Sequence, residues 1–266
     1  TSNTVSVMLG TGGGGFGAKS DFATGSGPVS VAIGDVSGDG KPDLAVTNFL
    51  AGTVSVLLGN GAGGFGTKTD FTTGTGPLSV AIADVSGDGK PDLVVANTSS
   101  ASASVLLGNG AGGFGARTDF TTGFGPGSVA IGDVSGDGRP DLVVANSASG
   151  SASVLLGNGV GGFAAKTDFA TGVQPRSVAI GDLSGDGKPD LAVANSGSNT
   201  VSVLLGNGVG GFGAKTDFGA GVGPQAIAIG DVSGDGKPDL AAANGSAERR
   251  AGQEGSGEGG SRGTPD

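Results

Sequence analysis

The sequence predicts an all-β fold, a β-propeller of four-stranded blades, and three observations lead to this prediction. A string of the form DVSGDGKPD begins at Asp35 and returns at Asp84, Asp133, Asp182 and Asp231, an interval of 49 residues each time. Each unit holds four short segments rich in Val, Ile, Thr and Phe, separated by Gly-rich or polar breaks. No segment keeps a helical period, and four strands in a unit of this size are typical of one propeller blade.

The strands of the first complete unit follow in order. Residues 30–34 (SVAIG) form the first strand and Asp43–Asn48 (DLAVTN) the second. Residues 53–58 (TVSVLL) form the third, and residues 68–72 (KTDFT) a weaker fourth. The inner segments are almost continuously apolar, which indicates a sheet buried on both faces, as a blade between two other blades is.

The two ends of the chain carry complementary halves of a repeat. Residues 1–28 contain the second half (TVSVML, GGF, SDF), and residues 225–244 contain the first half (IAIGDVSGDGKPDLAAAN). We therefore expect residues 1–244 to form a ring of five blades, closed by pairing of the N- and C-terminal half-repeats. The predicted blades are residues 29–77, 78–126, 127–175, 176–224, and 225–244 together with 1–28.

The segment after the last repeat differs in composition. Residues 245–266 hold all three Glu residues of the chain and no large apolar side chain. Such a segment cannot bury enough apolar surface to fold, so we predict a disordered tail.

Composition excludes several classes of function. The chain has no Cys, His, Trp or Tyr, which removes disulfides, thiolate chemistry and the commonest general base. Nothing supplies a nucleophile–base pair, so we expect no enzyme activity. The net charge of −10 argues against nucleic acid as a partner, and no apolar run is long enough to cross a membrane. A closed ring would be a monomer.

The repeated string D-x-S-x-D-G-x-x-D carries the chemistry; we call each copy an Asp loop. Calcium takes six to eight hard oxygen ligands, and loops of this type offer them at positions 1, 3, 5, 7 and 9. Position 7 acts through its backbone carbonyl, and Gly at position 6 permits the sharp turn. The predicted ligands of the five loops are Asp35, Ser37, Asp39, Lys41 and Asp43; Asp84, Ser86, Asp88, Lys90 and Asp92; Asp133, Ser135, Asp137, Arg139 and Asp141; Asp182, Ser184, Asp186, Lys188 and Asp190; and Asp231, Ser233, Asp235, Lys237 and Asp239.

A plain hairpin turn is the alternative interpretation of the Asp loop. It accounts for Asp39 followed by Gly40 but not for three carboxylates in nine residues, which repel one another without a cation. The loops hold fifteen of the 24 acidic residues, and five Ca²⁺ ions would cancel the formal charge of −10. We therefore predict about five bound Ca²⁺ ions, one in each blade.

The combination of DxSGDGKPDLxVAN, SVxVLLGNGxGGF and a following Gly-Pro resembles the FG-GAP or VCBS repeat family over residues 1–244. Repeats of this kind are similar to those of the integrin α-subunit propeller. The resemblance implies a calcium-stabilised propeller that is extracellular or on the cell surface and serves adhesion or ligand recognition.

Three function classes stay open at this point. The first is a non-catalytic extracellular binding or adhesion scaffold whose partner is a protein or a glycan. The second is a carbohydrate-binding, lectin-like propeller, and the third is an accessory domain of a larger secreted enzyme. Phe49, Phe124 and Arg176 break the internal repetition, which marks either ligand contacts or drift at neutral positions. The paired Phe residues, such as Phe65 and Phe71, are predicted to pack between blades.

Overall fold

The computed structural model describes residues 2–245, and these residues form an all-β structure without any helix. In this part of the chain no helix is therefore available to cross a membrane. The predicted disordered tail lies outside the described residues, apart from Gly245.

The strands follow one order in every repeat and are numbered along the chain. They are β1 (Thr4–Val7), β2 (Gly10–Gly12), β3 (Gly15–Phe16), β4 (Ser20–Ala23), β5 (Pro28–Gly34), β6 (Asp43–Asn48), β7 (Thr53–Leu57), β8 (Thr69–Thr72), β9 (Pro77–Ala83), β10 (Asp92–Asn97), β11 (Ser102–Leu106), β12 (Thr118–Thr121), β13 (Pro126–Gly132), β14 (Asp141–Asn146), β15 (Ser151–Leu155), β16 (Thr167–Ala170), β17 (Pro175–Gly181), β18 (Asp190–Asn195), β19 (Thr200–Leu204), β20 (Thr216–Gly219), β21 (Pro224–Gly230) and β22 (Asp239–Asn244).

Four complete blades are four-stranded antiparallel sheets in which consecutive strands pair. They are β5–β8, β9–β12, β13–β16 and β17–β20. The second strand of each is buried along its whole length, as its nearly continuous apolar sequence predicts. The first strands β5, β9, β13, β17 and β21 lie next to one another in this order, so the sheets stack as propeller blades do.

The first strand of the first complete blade begins two residues earlier than the sequence predicts. In the first blade it begins at Pro28, and the register with β6 shifts between Pro28 and Ser30. Proline lacks an N–H group and is tolerated at the first position of a strand or at a bulge, which are the two features found here. Four residues separate each blade from the next, for example residues 73–76 between β8 and β9.

The hydrophobic core consists of separate clusters between successive blades. Val54 and Val56 of the first blade pack with Leu93 and Leu106 of the second, and equivalent clusters join the second to the third and the third to the fourth. The predicted inter-blade role of the Phe residues is confirmed. Four edge-to-face pairs, with ring centroids 5.1–5.3 Å apart, join the fourth strand of one blade to the Gly-rich hairpin of the next: Phe22–Phe65, Phe71–Phe114, Phe120–Phe163 and Phe169–Phe212.

The predicted closure of the ring is not present among residues 2–245. β1 pairs with β4 alone, and β22 pairs with β21 alone, so the fifth blade exists as two separate halves. Leu240 of β22 is partly exposed, whereas the equivalent Leu142 of β14 is fully buried. The outer edges of β1 and β22 therefore carry no strand-to-strand hydrogen bond among these residues, although the five repeats themselves are present as predicted.

Candidate metal centre

The Asp loops all lie on one face of the propeller. In the first blade the Asp loop joins β5 to β6, and the Gly-rich hairpin at residues 58–68 joins β7 to β8. Because the strands are antiparallel, these two connections lie at the same ends of the strands. Residues 49–52 and 73–76 lie on the opposite face.

The Asp loop is wrapped around the carboxylate of its first residue. Asp35 accepts N–H groups from Gly38 at 2.7 Å, Asp39 at 3.2 Å and Gly40 at 2.7 Å. Gly38 and Gly40 have φ angles of +73° and +79°, a left-handed conformation that favours glycine and turns these amides inward. The bond from the Gly40 amide contributes most to holding the pKa of Asp35 below its usual value, so this carboxylate is ionised at neutral pH.

Ser37 and Asp39 lie beside this carboxylate. The Ser37 hydroxyl donates to Asp35 Oδ1 at 3.3 Å. Asp39 accepts the Lys41 N–H at 3.0 Å and pairs with Lys41 Nζ at 2.9 Å. The hydrogen bond from the Lys41 side chain is the main cause that lowers the pKa of Asp39.

Asp43 has a different environment from the other two carboxylates. Its side chain is fully buried, and its Oδ2 atom accepts the N–H groups of Val36 at 3.0 Å and Ser37 at 3.1 Å. Its Oδ1 atom accepts the N–H of Gly59 at 2.7 Å, which ties the Asp loop to the neighbouring hairpin. Asp92, Asp141 and Asp190 make the same three bonds.

The structure thus brings together part of the predicted ligand set. Asp35, Ser37 and Asp39 form a partly exposed cluster of hard oxygen atoms, although both oxygens of Asp35 also accept backbone amides of the loop. Asp43 differs in that it is fully buried and also accepts the amide of Gly59 in the neighbouring hairpin. Within residues 2–245 no three acidic side chains converge at a distance suited to one metal ion. The donor chemistry of Asp35, Ser37 and Asp39 fits Ca²⁺. The competing Asp39–Lys41 ion pair is exposed and therefore weak.

A buried polar network was not identified from the sequence. Asn48 Nδ2 donates to Ser55 Oγ at 2.8 Å, and Ser55 Oγ donates to Asp70 Oδ1 at 2.6 Å. The same Ser55 oxygen accepts the N–H of Gly25, in the connection between β4 and β5, at 3.0 Å. Asp70 also pairs with the ammonium group of Lys68. The signal that could have revealed this network is the recurrence of Asn, Ser and Asp in register on three successive strands.

The three residues that break the repetition do not form one site. Phe49 lies against the Gly76 backbone, and Arg176 donates to Ser196 Oγ at 3.4 Å. Phe124 lies in the connection between β12 and β13 and is 73% exposed. A polar cleft of about 600 Å³ does lie on this opposite face, and its lining residues include Ser147, Ser149, Thr171, Lys215 and Asp217 but none of these three.

Comparison with protein families gives a match along nearly the whole described chain. The model of the FG-GAP-like repeat matches residues 1–46, 38–95, 84–144, 133–193 and 182–242. No protein of curated function matches the chain in sequence.

Solved structures share the fold at low sequence identity. A lectin of Agrocybe aegerita, described for its recognition of non-reducing terminal N-acetylglucosamine, is 22% identical with a TM-score of 0.57, over 90% of this chain and 65% of the lectin. A protein from Lactobacillus plantarum is 18% identical with a TM-score of 0.67, over 85% and 67% of the two chains. A streptogramin B lyase is 14% identical with a TM-score of 0.59, over 85% and 66%. The chain therefore spans about two thirds of the length of these structures.

Proposed function

The chain belongs to the FG-GAP-like repeat family, and on this premise we propose that it is a non-catalytic binding scaffold whose five Asp loops each hold one Ca²⁺ ion. The observation that carries the proposal is the grouping of Asp35, Ser37 and Asp39 in one partly exposed loop, where the Ser37 hydroxyl and the Asp39 backbone amide both donate to Asp35 Oδ1. The same pattern recurs five times on one face of the propeller.

The residues of the Asp loop would have different roles in binding a cation. Asp35, Ser37 and Asp39 would bind the ion, together with the backbone carbonyl of Lys41. Asp43 would not contact the ion but would hold the loop backbone in place through its hydrogen bond to Gly59 of the hairpin. The bound ion would neutralise carboxylates that otherwise repel one another, and it would thereby stabilise the face on which all five loops lie.

The repetition of the loops supports binding rather than catalysis. A catalytic site gathers different groups with perturbed pKa values in one place, whereas this chain offers the same Asp and Ser groups five times and contains no His, Cys or Tyr. Several similar surfaces on one frame favour multivalent binding, in which avidity exceeds the affinity of each contact. The proposed partner is an extracellular protein or glycan with a repeating structure.

Calorimetric titration with Ca²⁺ tests the metal sites directly. We expect about five Ca²⁺ ions to bind per chain. A variant in which Asp39, Asp88, Asp137, Asp186 and Asp235 are all changed to Asn should bind none with comparable affinity, because each loop loses an exposed anionic ligand while Asp43 and its equivalents keep the backbone in place. Titration with Mg²⁺ serves as the control. A wild-type chain that takes up no Ca²⁺ at millimolar concentration would contradict the proposal.

A lectin-like function is the second candidate, and the polar cleft on the face opposite the Asp loops favours it. The hydroxyl groups of Ser147, Ser149 and Thr171, with Lys215 and Asp217, offer the donors and acceptors that a sugar requires. A glycan array that includes terminal N-acetylglucosamine is the test. A sugar site would be supported if one glycan class binds the wild type, and if this binding is lost in Lys215→Ala. The control is Lys19→Ala, at the equivalent position of the first half-blade, which should keep the binding. An array without signal would exclude the sugar site.

A further inference from the structure

The second residue of each of the first three Asp loops is anchored in the next blade. Val36, Val85 and Val134 are 1% exposed, and each belongs to the hydrophobic cluster between its own blade and the following one. The loop backbone is held there as well, because the carbonyl of Val36 accepts the N–H of Gly112 at 3.1 Å, from the Gly-rich hairpin of the second blade. The bond recurs at the next two interfaces, from Gly161 to Val85 and from Gly210 to Val134.

The fourth residue of the Asp loop contacts the same hairpin. Gly38 lies so close to Gly110 that a Cβ on it would be 3.0 Å from the Gly110 carbonyl oxygen, and the equivalent distances at the next two interfaces are 2.9 Å. Gly40 has the same left-handed backbone, yet among the described residues a Cβ there would meet no atom within 4 Å. The fourth position of the loop is therefore packed on the next blade, whereas the sixth position is open.

The hairpin that receives these contacts is also fixed to the Asp loop of its own blade. Asp92 Oδ1 accepts the N–H of Gly108 at 2.8 Å, and the aliphatic part of the Lys90 side chain lies against Gly110. The side chain of Asn109 holds the turn in shape by accepting two backbone N–H groups. Gly110 is therefore in contact with two Asp loops at once, that of the first blade and that of its own blade.

These bonds form a continuous hydrogen-bonded belt on the face that carries the Asp loops. Asp92 accepts Gly108 of its hairpin with one carboxylate oxygen and Val85 of its loop with the other, and the carbonyl of Val85 accepts the N–H of Gly161 in the next blade. Asp141 makes the equivalent links from the third blade to the fourth. The buried Asp of each loop therefore connects the hairpin of its own blade to the hairpin of the next.

We propose that neighbouring Asp loops bind Ca²⁺ with positive cooperativity through this hydrogen-bonded belt. The inference rests on the proposed function and describes the regulation of the same sites. An ion in the first loop fixes the backbone at Val36 and Gly38, which in turn fixes the hairpin of the second blade and the loop attached to it. The second loop is then already ordered when its own ion arrives, so that its binding costs less conformational entropy. Gly112, Gly161 and Gly210 are positioning residues in this arrangement.

Direct electrostatic interaction between the sites predicts the opposite behaviour. The first bound ion reduces the negative charge of the face, so a second cation is attracted less strongly. This effect is screened over about 8 Å at physiological ionic strength. Positive cooperativity that is confined to adjacent loops therefore has no source in charge alone and points to contact through the belt.

Calorimetric titration of two matched variants tests the proposal. The adjacent-pair variant, with Asp137→Asn, Asp186→Asn and Asp235→Asn, keeps the first and second loops. The separated-pair variant has Asp88→Asn in place of Asp137→Asn and keeps the first and third loops, so the two variants have the same net charge. The three loops are identical in sequence except for Arg139 in the third. We expect the second ion to bind the adjacent pair at least about fivefold more tightly than the first, and the separated pair to bind two ions independently.

A substitution in the belt tests whether the coupling passes through the hairpin. Gly38→Ala, added to the adjacent-pair variant, places a methyl group 3.0 Å from the Gly110 carbonyl oxygen and should abolish the cooperativity. Gly40→Ala is the matched control, because it imposes a similar backbone strain, at a φ angle of +79° instead of +73°, but at an open position. It should weaken binding to the first loop and leave the coupling between the loops intact.

Amide hydrogen exchange provides a second readout. In a variant that keeps only the first loop, with Asn at positions 88, 137, 186 and 235, Ca²⁺ should slow the exchange of the Gly112 amide in the second blade. The Gly161 amide in the third blade makes the same type of bond to the second loop and serves as the internal control, which should not change.

The possible results separate this inference from the proposed function. A wild-type chain that binds no Ca²⁺ overturns both. Independent binding to the adjacent pair, equal cooperativity in the two pair variants, or cooperativity that survives Gly38→Ala would overturn the inference alone and leave the calcium sites in place. Circular dichroism and melting curves establish that the variants fold. If Gly38→Ala does not fold, the exchange of the Gly112 amide decides, and an unchanged rate with Ca²⁺ overturns the inference.

Discussion

Calcium is expected to raise the free energy of unfolding of this chain by about 7 kcal/mol when its concentration is ten times the dissociation constant of the loops. A ligand that binds only the folded state stabilises it by RT ln(1 + [L]/Kd), which is about 1.4 kcal/mol per site at this excess, and the proposal places one ion in each of five loops. Thermal and urea unfolding, measured with millimolar Ca²⁺ and with a chelator, provide the test.

The control for this prediction separates bound calcium from general screening of charge. A chain with a net charge of −10 gains some stability from any salt, so NaCl at the same ionic strength sets the baseline. The variant with Asn at positions 39, 88, 137, 186 and 235 should respond to CaCl₂ no more than to NaCl. Identical unfolding curves of the wild type with Ca²⁺ and with chelator would rule out the metal assignment.

Asp92→Ala is expected to destabilise the chain by about 4 kcal/mol in the absence of calcium. Asp92 is fully buried, and its carboxylate accepts the N–H groups of Val85, Ser86 and Gly108. The change leaves three amides without their acceptor, and each unsatisfied buried donor costs about 1–3 kcal/mol. The measurement is the free energy of unfolding in urea with chelator present, so that a lost metal ligand does not contribute.

The chain provides its own matched control for Asp92. Asp239 holds the equivalent position in the last repeat, but among the described residues it accepts N–H groups from Val232 and Ser233 only, and it is less buried. We expect Asp239→Ala to cost less than half as much as Asp92→Ala. Equal losses from the two variants would show that burial and the third bond, which in Asp92 comes from Gly108, do not determine the stability.

The sequence predicts the strands well because each blade buries its second and third strands on both faces. Asp43–Asn48 reads as an uninterrupted apolar segment between polar ends, and the structure has this strand with the predicted bounds. The edges of the weaker strands depend on hydrogen bonds to neighbours, which the local sequence does not reveal. Pro28 is an example, since its place in β5 depends on pairing with Asn48 across a bulge.

The direction of a carboxylate was harder to predict than its presence. The spacing predicts the same role, that of a calcium ligand, for Asp35, Asp39 and Asp43. In the structure only Asp43 accepts the amide of Gly59, which lies sixteen positions further along the chain. That contact exists because β6 and β7 pair and bring the hairpin beside the loop.

The short connections between blades affect how the blades come to pack in the correct order during folding. Because the interfaces are nearly interchangeable, a nascent blade would gain similar contacts from any other blade, and the contacts alone do not distinguish a correct neighbour from a wrong one. Only four residues, such as those between β8 and β9, join one blade to the next, and they are too short to pass over an intervening sheet. Chain connectivity therefore directs each blade to its neighbour in sequence. A longer connection would lower the cost of misordered docking, and kinetically trapped chains would accumulate on refolding.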